Sequence, residues 1–503
     1  MNYLKYIFIF ILFLFMLLAI REGRQAADFP VSEDGFFSMT VARNIANGNG
    51  VTIDGTNLTN GFQPLFTFIS TPIFSIENKL LSVRLLIILQ VIILGLTAYL
   101  LGHFISDYLK QSFPKIDNSF HYLVSLLYIS GQTIIIKHLN GLETGFYMLM
   151  IVLTGYYFFK FYQDNWKSNL MLGLLLGLTV LTRIDFAFFV VIFVLVLFIF
   201  DKSSTLRKRL SKTIVISMTA LVVSLPWWIY NYTVFGSVMP ISGQAQQSFD
   251  FDIYRIFWSL YAVFTNFEIF TTKIDALTSH QAILIFRFVF FGIVFAFVFP
   301  LFGLLFKENN SSKNKRFKVF LLTLTFFSIS LIVWYTISNW AVYFYPRYFM
   351  PLSIVSVFIL SLALLKTILI NRKAKYFFSV IFPIMSISFI FIVLFKIGIK
   401  GSGFLNNQLP LIEKNVPITE QVAAGQTGTI GYFIDKVVNL DGKVNYEALH
   451  YRNNMWEYLD KKNITWFCDW KIGVENFLGK IPENRGWLFV EQRGNFLLYH
   501  KSK

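Results

Sequence analysis

Charge and cysteine are both scarce in this sequence. Only 14% of the 503 residues are charged, whereas a soluble protein of this size carries about 25%. The one cysteine, Cys468, excludes an intrachain disulfide. A His-Glu-x-x-His motif and a cysteine cluster are also absent from the sequence, so zinc catalysis has no support. These absences disfavour an ordinary soluble enzyme, a disulfide-stabilised protein and a zinc-dependent one.

Long apolar runs take the place of the missing charge, and hydrophobic residues make up 55% of the chain. A bilayer core about 30 Å thick is spanned by a helix of roughly 20 apolar residues. About eleven runs approach this length, at 4–20, 83–103, 121–137, 143–161, 168–182, 185–200, 213–231, 282–306, 317–338, 349–370 and 376–397. The segments 62–76 and 253–272 are shorter or more polar and are predicted to lie at the membrane surface. The predicted fold class is an α-helical polytopic membrane protein.

The basic residues lie between the apolar runs. The formal net charge is +16, and the usual excess of lysine and arginine in cytoplasmic loops explains it without a nucleic-acid partner. With a cytoplasmic N-terminus, three loops fall inside and hold 13 basic residues against two acidic ones. These loops are 201–212, 307–318 and 371–375. The same topology makes residues 21–82 a large first outer loop and requires two helices, not one, within 168–200.

The apolar runs stop after residue 397. Residues 398–503 have ordinary polarity and alternate between strand and helix patterns, as in KVVNLDG and ITWFCDW. They predict a small soluble α/β domain on the outer side, following a transmembrane domain of residues 1–397. Within it, residues 425–431 read GQTGTIG, which lacks both the G-x-G-x-x-G order and a GK[ST] ending. A turn explains this stretch better than a phosphate loop does.

Two carboxylates, Glu33 and Asp34, stand side by side in the first outer loop. Ser32 before them is a typical helix N-cap, and acidic side chains in a first turn stabilise the positive end of a helix. A structural role alone therefore accounts for the pair. The pattern predicts a helix at 33–47 that would lie along the membrane surface. The polar, glycine-rich passage that follows it, through IDGTNLTNGFQPLF, favours a loop that shapes a site instead.

The block EDGFFSMTVARNIANGNGVTIDGTNLTNGFQPLF, which begins at Glu33, resembles the first outer loop of bacterial GT-C glycosyltransferases. These membrane enzymes are related in architecture to protein O-mannosyltransferases, aminoarabinose transferases and arabinofuranosyltransferases. Weaker matches follow in order along the chain: NGLET (140–144), GLLLGLTVLTRIDF (173–186), PWWIYNYTVFGSVMPISGQAQ (226–246), FYPRYFMPL (344–352) and GYFIDKVVNLDGKVN (431–445). The resemblance implies a GT-C-like fold in a bacterial inner membrane, with the first outer loop and the C-terminal domain on the periplasmic or extracellular side.

The resemblance also implies a reaction. A hexose or pentose would move, with inversion, from a polyprenyl-phosphate donor to a hydroxyl of a glycan, lipid or protein acceptor. Such a transfer needs a base that accepts the proton of the hydroxyl. It also needs a cation or hydrogen-bond donor that stabilises the negative charge growing on the phosphate. The resemblance places the base in the acidic pair, and we assign Asp34. Glu33 would bind the acceptor or, together with Asp34, a divalent cation.

Arg347, in FYPRYF, is the first candidate for binding the donor phosphate, because a guanidinium fork fits phosphate. An interfacial anchor is the alternative for this residue. Arg43 and Arg183 are further phosphate candidates, although contact with the acidic pair is preferred for Arg43 and an ion pair with Asp185 for Arg183. Glu143 and Asp185 are candidates for substrate binding, and both also have structural explanations. Further substrate-binding candidates are Asn60, Gln63, Ser242 and Gln244.

Two other function classes stay open. A transporter or flippase of lipid-linked glycans would also need many spans and an arginine near the lipid phosphate. Transporters place ionisable residues near the midplane, often in repeated broken helices. Here the interiors of the predicted spans are nearly free of charge apart from the 183–185 tip, and no internal repeat is visible. A non-catalytic binder of lipid-linked glycans is the third reading, and the intact acidic loop disfavours it.

Overall fold

The computed structural model describes residues 3–200, 205–250, 252–267, 280–307, 311–397 and 402–501. The part of the chain up to residue 397 is helical, and the five strands found within these ranges all follow residue 402. We call these two parts the helical region and the sheet domain. The end of the predicted surface segment 253–272 and the residues at the start of the predicted C-terminal domain, 398–401, lie outside the described residues.

The helices of the helical region follow the apolar runs. They are Tyr3–Met16, Glu33–Ala46, Pro64–Phe74, Lys79–Ser112, Phe120–Ile129, Gln132–His138, Thr144–Lys160, Trp166–Thr182, Ala187–Phe200, Leu206–Phe235, Ile241–Gln246, Ile253–Phe267, His280–Lys307, Ser312–Ser338, Tyr345–Tyr348, Leu352–Ile370 and Ala374–Ile392. Short 3₁₀ or π segments are Leu17–Ile20, Gly23–Ala27, Ile184–Phe186, Val342–Phe344 and Val393–Ile397.

Six helices in the described ranges are long and apolar enough to cross a membrane. They are Tyr3–Ile20, Lys79–Ser112, Leu206–Phe235, Ser312–Ser338, Leu352–Ile370 and Ala374–Phe395. The predicted break within 168–200 is confirmed, because one helix ends at Thr182 and the next begins at Ala187. The single span predicted at 121–137 is wrong: the chain forms two short helices that meet at Ser130 and Gly131. The chain is a multi-pass membrane protein.

The helix Glu33–Ala46, which we call the acidic helix, begins as its sequence predicts. The hydroxyl of Ser32 accepts a hydrogen bond from the amide of Gly35 at 3.2 Å, and both acids lie in the first turn. Its position along the membrane surface stays a prediction. Residues 35–42 are all buried, because the helix packs against Pro64–Phe74 on one side and against the sheet domain on another.

The sheet domain contains one five-stranded mixed sheet. Its strands are β1 (Val422–Ala424), β2 (Val437–Asn439), β3 (Trp466–Trp470), β4 (Trp487–Arg493) and β5 (Phe496–Lys501). The order is β2-β1-β3-β5-β4, with β1 parallel to β2 and β3, and β5 antiparallel to β3 and β4. Its helices are Leu409–Asn415, Gly428–Phe433, Tyr446–His450, Met455–Lys461 and Lys471–Phe477, and a π segment spans Phe404–Gln408.

The sheet domain meets the helical region through the loops that follow β1 and β2. After β1, Gly428 lies so close to the backbone of Glu33 that an added side-chain carbon would overlap the Glu33 carbonyl oxygen. After β2, the carbonyl oxygen of Lys443 lies against Gly61 in the same way. Both loops leave the carboxyl ends of parallel strands, the edge at which α/β sheets usually bind ligands. Here that edge faces the first outer loop.

Candidate active site

One cavity of about 330 Å³ lies where the acidic helix, the 183–185 tip and the sheet domain meet. This volume is within the range of small-molecule sites. The charged side chains that line it are Asp34, Glu143, Arg183, Asp185, Arg347 and Lys443. Three acids and three bases thus share one enclosure between membrane helices, where burying a charge is costly unless it is paired. Most of these charges are paired, and the pairs define two separate groups.

The first group centres on Asp34. Its Oδ2 lies 3.3 Å from Nη1 of Arg347, and its side chain is 17% exposed. Its Oδ1 accepts no hydrogen bond from any residue that the structure describes. Asp34 therefore presents one carboxylate oxygen to the cavity while the other is held by an arginine.

Arg347 is held by its own turn, Tyr345–Tyr348, in which Pro346 occupies the start of the helix. The guanidinium lies over the rings of Phe344 at 4.7 Å and Tyr348 at 5.3 Å, distances at which an aromatic face attracts a cation. Its Nε is buried and has no hydrogen-bond partner within the described ranges. Arg347 is thus fixed by its turn and by the two rings, with only its terminal nitrogens left to meet a ligand.

The second group is built on Arg183, whose side chain is 4% exposed. Its Nη2 lies 2.7 Å from Oδ2 of Asp185 and its Nη1 lies 3.3 Å from Oε1 of Glu143. The hydroxyl of Tyr335 also donates to Asp185, at 2.9 Å. The ion pair expected between Arg183 and Asp185 is present, and Glu143 extends it. Two carboxylates occupy this guanidinium, so it is a poorer candidate for phosphate binding than Arg347.

Lys443 is the charged lining residue that the sequence analysis missed. Its Nζ lies 3.2 Å from Oδ2 of Asp441 and its side chain is 10% exposed. Burial lowers the pKa of Lys443, but the nearby carboxylates of Asp441 and Asp34 outweigh this and raise it above its ordinary value. The only sequence signal was its position in the VNLDGKVN stretch of the last matching block. Its ammonium remains charged in the cavity.

Glu33 turns away from the cavity. Its Oε1 accepts a hydrogen bond from the amide of Thr429 at 3.0 Å, and its Oε2 accepts one from the Thr429 hydroxyl. Burial raises the pKa of Glu33 to about 7, against the opposing effect of the Thr429 hydrogen bonds. Glu33 therefore binds the sheet domain, and its expected place beside the acceptor is not supported by its position.

A divalent cation shared by Glu33 and Asp34 does not fit this geometry. Consecutive residues on a helix point about 100° apart, and here one side chain reaches Thr429 while the other enters the cavity. No group of three or more His, Cys, Asp or Glu side chains able to hold a metal occurs among the described residues. The acidic pair is thus divided between two tasks.

Arg43 does not contact the acidic pair, and that expectation is wrong. Its guanidinium donates to the carbonyl oxygens of Ile76 at 3.0 Å and Glu77 at 3.1 Å. Nine residues of helix separate Arg43 from Asp34, which corresponds to about 13 Å along the axis. Arg43 therefore closes the far end of the acidic helix and does not line the cavity.

The neutral candidates divide in the same way. Gln63 and Ser242 line the cavity, and the side chain of Gln63 also accepts a hydrogen bond from the amide of Ile184 at 3.3 Å. Asn60 and Gln244 do not line it. The Asn60 amide group bridges Asn231 and the backbone of Ile241, and Gln244 donates to the carbonyl of Met239. Polar lining residues missed by the sequence analysis include Tyr335, Tyr348, Gln246 and Asn339.

Solved structures resemble this chain although its sequence is far from theirs. No protein-family model matches it, and no curated protein is detectably similar in sequence. ArnT from Cupriavidus metallidurans bound to undecaprenyl phosphate superposes with a TM-score of 0.62 over 99% of this chain and 98% of that one, at 9% identity. An Archaeoglobus fulgidus oligosaccharyltransferase tethered with an acceptor peptide gives 0.51 over 100% and 74%, at 12% identity. The chain has the GT-C fold.

The GT-C fold extends over both parts of the molecule. The apo state of the same ArnT matches with a TM-score of 0.55 over 93% of each chain, so the match takes in most of the helical region and of the sheet domain. The fold expected from the first-loop block is therefore confirmed. An identity of 9 to 12% explains why the likeness is seen in the backbone and not by family models.

Proposed function

We propose that this protein is a membrane glycosyltransferase that moves a sugar from a polyprenyl-phosphate donor to an acceptor hydroxyl, with inversion at the anomeric carbon. One observation carries the proposal: Asp34, with an open carboxylate oxygen, shares a single cavity with Arg347 and Lys443 in a GT-C fold. The similar ArnT structure is bound to undecaprenyl phosphate, and the archaeal oligosaccharyltransferase AglB is in complex with dolichol phosphate. A glycan, lipid or protein would supply the hydroxyl.

The groups of the cavity fit the transfer step. As the acceptor oxygen bonds to the anomeric carbon, its proton passes to Oδ1 of Asp34. The bond from that carbon to the phosphate oxygen breaks on the opposite side, and its electron pair stays on the polyprenyl phosphate. Arg347 stabilises the charge that grows there, as a preorganised donor does in other transfer enzymes. The attack from the opposite face gives inversion.

Arg347 has a second task in this scheme. It pairs with Asp34 at 3.3 Å. A phosphate that binds the terminal nitrogens of Arg347 competes with the carboxylate for the same guanidinium, because fork geometry suits both anions. Donor binding thus loosens the hold on Asp34 and leaves that carboxylate available for the acceptor proton. The Arg183 group keeps its own pairs and forms a fixed wall.

The membrane orientation belongs to the same proposal. The three basic loops of the sequence support a cytoplasmic N-terminus in a bacterial inner membrane. The cavity and the sheet domain then lie on the periplasmic or extracellular side, where a polyprenyl-phosphate sugar is reached from the outer leaflet.

A donor-turnover assay tests the proposal. Purified protein in detergent is incubated with labelled polyprenyl-phosphate hexoses and pentoses and an acceptor extract, and release of sugar from the lipid is measured. Turnover of one donor is expected. The protein in vesicles is assayed in parallel for movement of the same labelled lipid across the bilayer. Lipid movement without cleavage of any donor would favour a flippase, and binding with neither would favour a non-catalytic glycan binder.

A further inference from the structure

Lys443 is a residue of the sheet domain that reaches the cavity of the helical region. It follows β2 by four residues and lines the same enclosure as Asp34 and Arg347. It is therefore the one charged group in the lining supplied from beyond residue 402. Its side chain pairs with Asp441 of its own domain and also lies over the ring of Phe344, a residue of the helical region.

The position of Lys443 is fixed by its neighbours. Val444 is 1% exposed and belongs to an apolar cluster with Phe37, Phe62 and Trp227, all residues of the helical region. The Lys443 carbonyl lies against Gly61, where any larger residue would overlap it. The loop thus packs against the helical region at the carbonyl of Lys443 and at the residue after it.

Lys443 and Arg347 place two positive charges close together in the cavity. Lys443 and Arg347 both lie over the ring of Phe344, at 5.6 Å and 4.7 Å. Each of these two cations has one carboxylate partner, Asp34 for Arg347 and Asp441 for Lys443. An anion placed between the two cations would be attracted to both of them.

We propose that Lys443 binds the phosphate of the lipid donor together with Arg347, so that the sheet domain completes the active site. This inference rests on the proposed function and extends it. A lysine ammonium is a compact charge with three rotatable donors, which complements the planar fork of Arg347 at a phosphate with several oxygens. The sheet domain thus contributes a binding residue to the donor site.

A binding experiment tests this without turnover. The wild-type protein and Lys443→Met are titrated with polyprenyl phosphate and, separately, with polyprenol, which lacks the phosphate. Loss of one charge-assisted contact is expected to weaken polyprenyl phosphate binding about 10- to 100-fold and to leave polyprenol binding unchanged. Lys471→Met is the matched control, because that lysine is on the same domain with its side chain 82% exposed. The control should bind as wild type does.

A second variant separates loss of binding from loss of stability. Lys443→Met leaves Asp441 without its cation, so Lys443→Met combined with Asp441→Asn is measured beside it. Equal affinity of wild type and both variants for polyprenyl phosphate overturns the role of Lys443 while leaving the proposed function standing. If wild type itself prefers polyprenyl phosphate no more than polyprenol, the proposed donor is wrong and the inference falls with it.

Discussion

Substitution of Glu33 by glutamine should make the protein more stable at high pH. The carboxylate of Glu33 is enclosed between the acidic helix and the sheet domain, and it accepts two hydrogen bonds from Thr429. Burial raises its pKa from 4.5 to about 7. Glutamine has the same shape and can form both hydrogen bonds, with the Thr429 hydroxyl accepting one of them. It removes only the ionisation.

The sign and size of the effect follow from the pKa. Below pH 4.5 Glu33 is neutral in the folded and the unfolded chain, and its full contribution to stability is present. Between pH 4.5 and about 7 the unfolded chain releases the proton that the folded chain keeps, so stability falls as the pH rises. Above pH 7 the loss is complete, and at about 1.4 kcal/mol for each pKa unit it reaches about 3 to 4 kcal/mol.

Thermal unfolding of purified protein in detergent between pH 5 and pH 9 (roughly the window in which the linkage acts) measures this effect. The midpoint of Glu33→Gln should exceed that of wild type by an amount that grows with pH and levels off above about pH 7. Glu413→Gln is the control, because Glu413 is a partly exposed carboxylate of the sheet domain paired with Arg24. A constant difference across this range would refute the assignment of a buried, titrating Glu33.

Three further variants test other contacts. Arg183→Met leaves two buried carboxylates without their cation and should lower the free energy of unfolding by about 3–5 kcal/mol, measured as a loss of folded yield. Arg24→Met breaks a partly exposed pair and should cost no more than about 1 kcal/mol. Equal folded yields of the two variants would contradict the structural role of Arg183. Arg347→Lys should raise KM for the donor about 10- to 100-fold, because a lysine cannot replace the fork, and an unchanged KM would contradict phosphate binding. Gly61→Ala should displace the backbone of Lys443 and lower donor turnover as Lys443→Met does; full turnover would show that the close approach is not needed.

The fold was largely predictable from the sequence because membrane helices are marked by the chain itself. Each predicted span other than 121–137 coincides with helix, and the break within 168–200 was required by the charge of the flanking loops. The sequence was less informative where contacts with distant segments determine the local structure. The apolar run at 121–137 is interrupted at Gly131, and its composition gives no sign of this break. The acidic helix is buried because two other segments cover it, and its own sequence predicts neither contact.

The candidate site was predictable where a local motif carries it. Asp34 and Arg347 lie in blocks that resemble GT-C sequences, and both line one cavity. Glu33 was misplaced because its partner, Thr429, lies 396 residues away in the chain. Lys443 was missed because a lysine after a short strand looks like any surface lysine. Only the docking of the sheet domain turns it towards Asp34.

Substitution of Asp34 by asparagine, assayed with a donor that the wild-type protein turns over, tests the central claim most directly. The variant keeps the size of the side chain but cannot take up a proton, so transfer should fall about 10²- to 10⁴-fold while polyprenyl phosphate still binds. Asp435→Asn, which alters an exposed carboxylate of the sheet domain, should transfer at the wild-type rate. Transfer at the wild-type rate by Asp34→Asn would contradict the account.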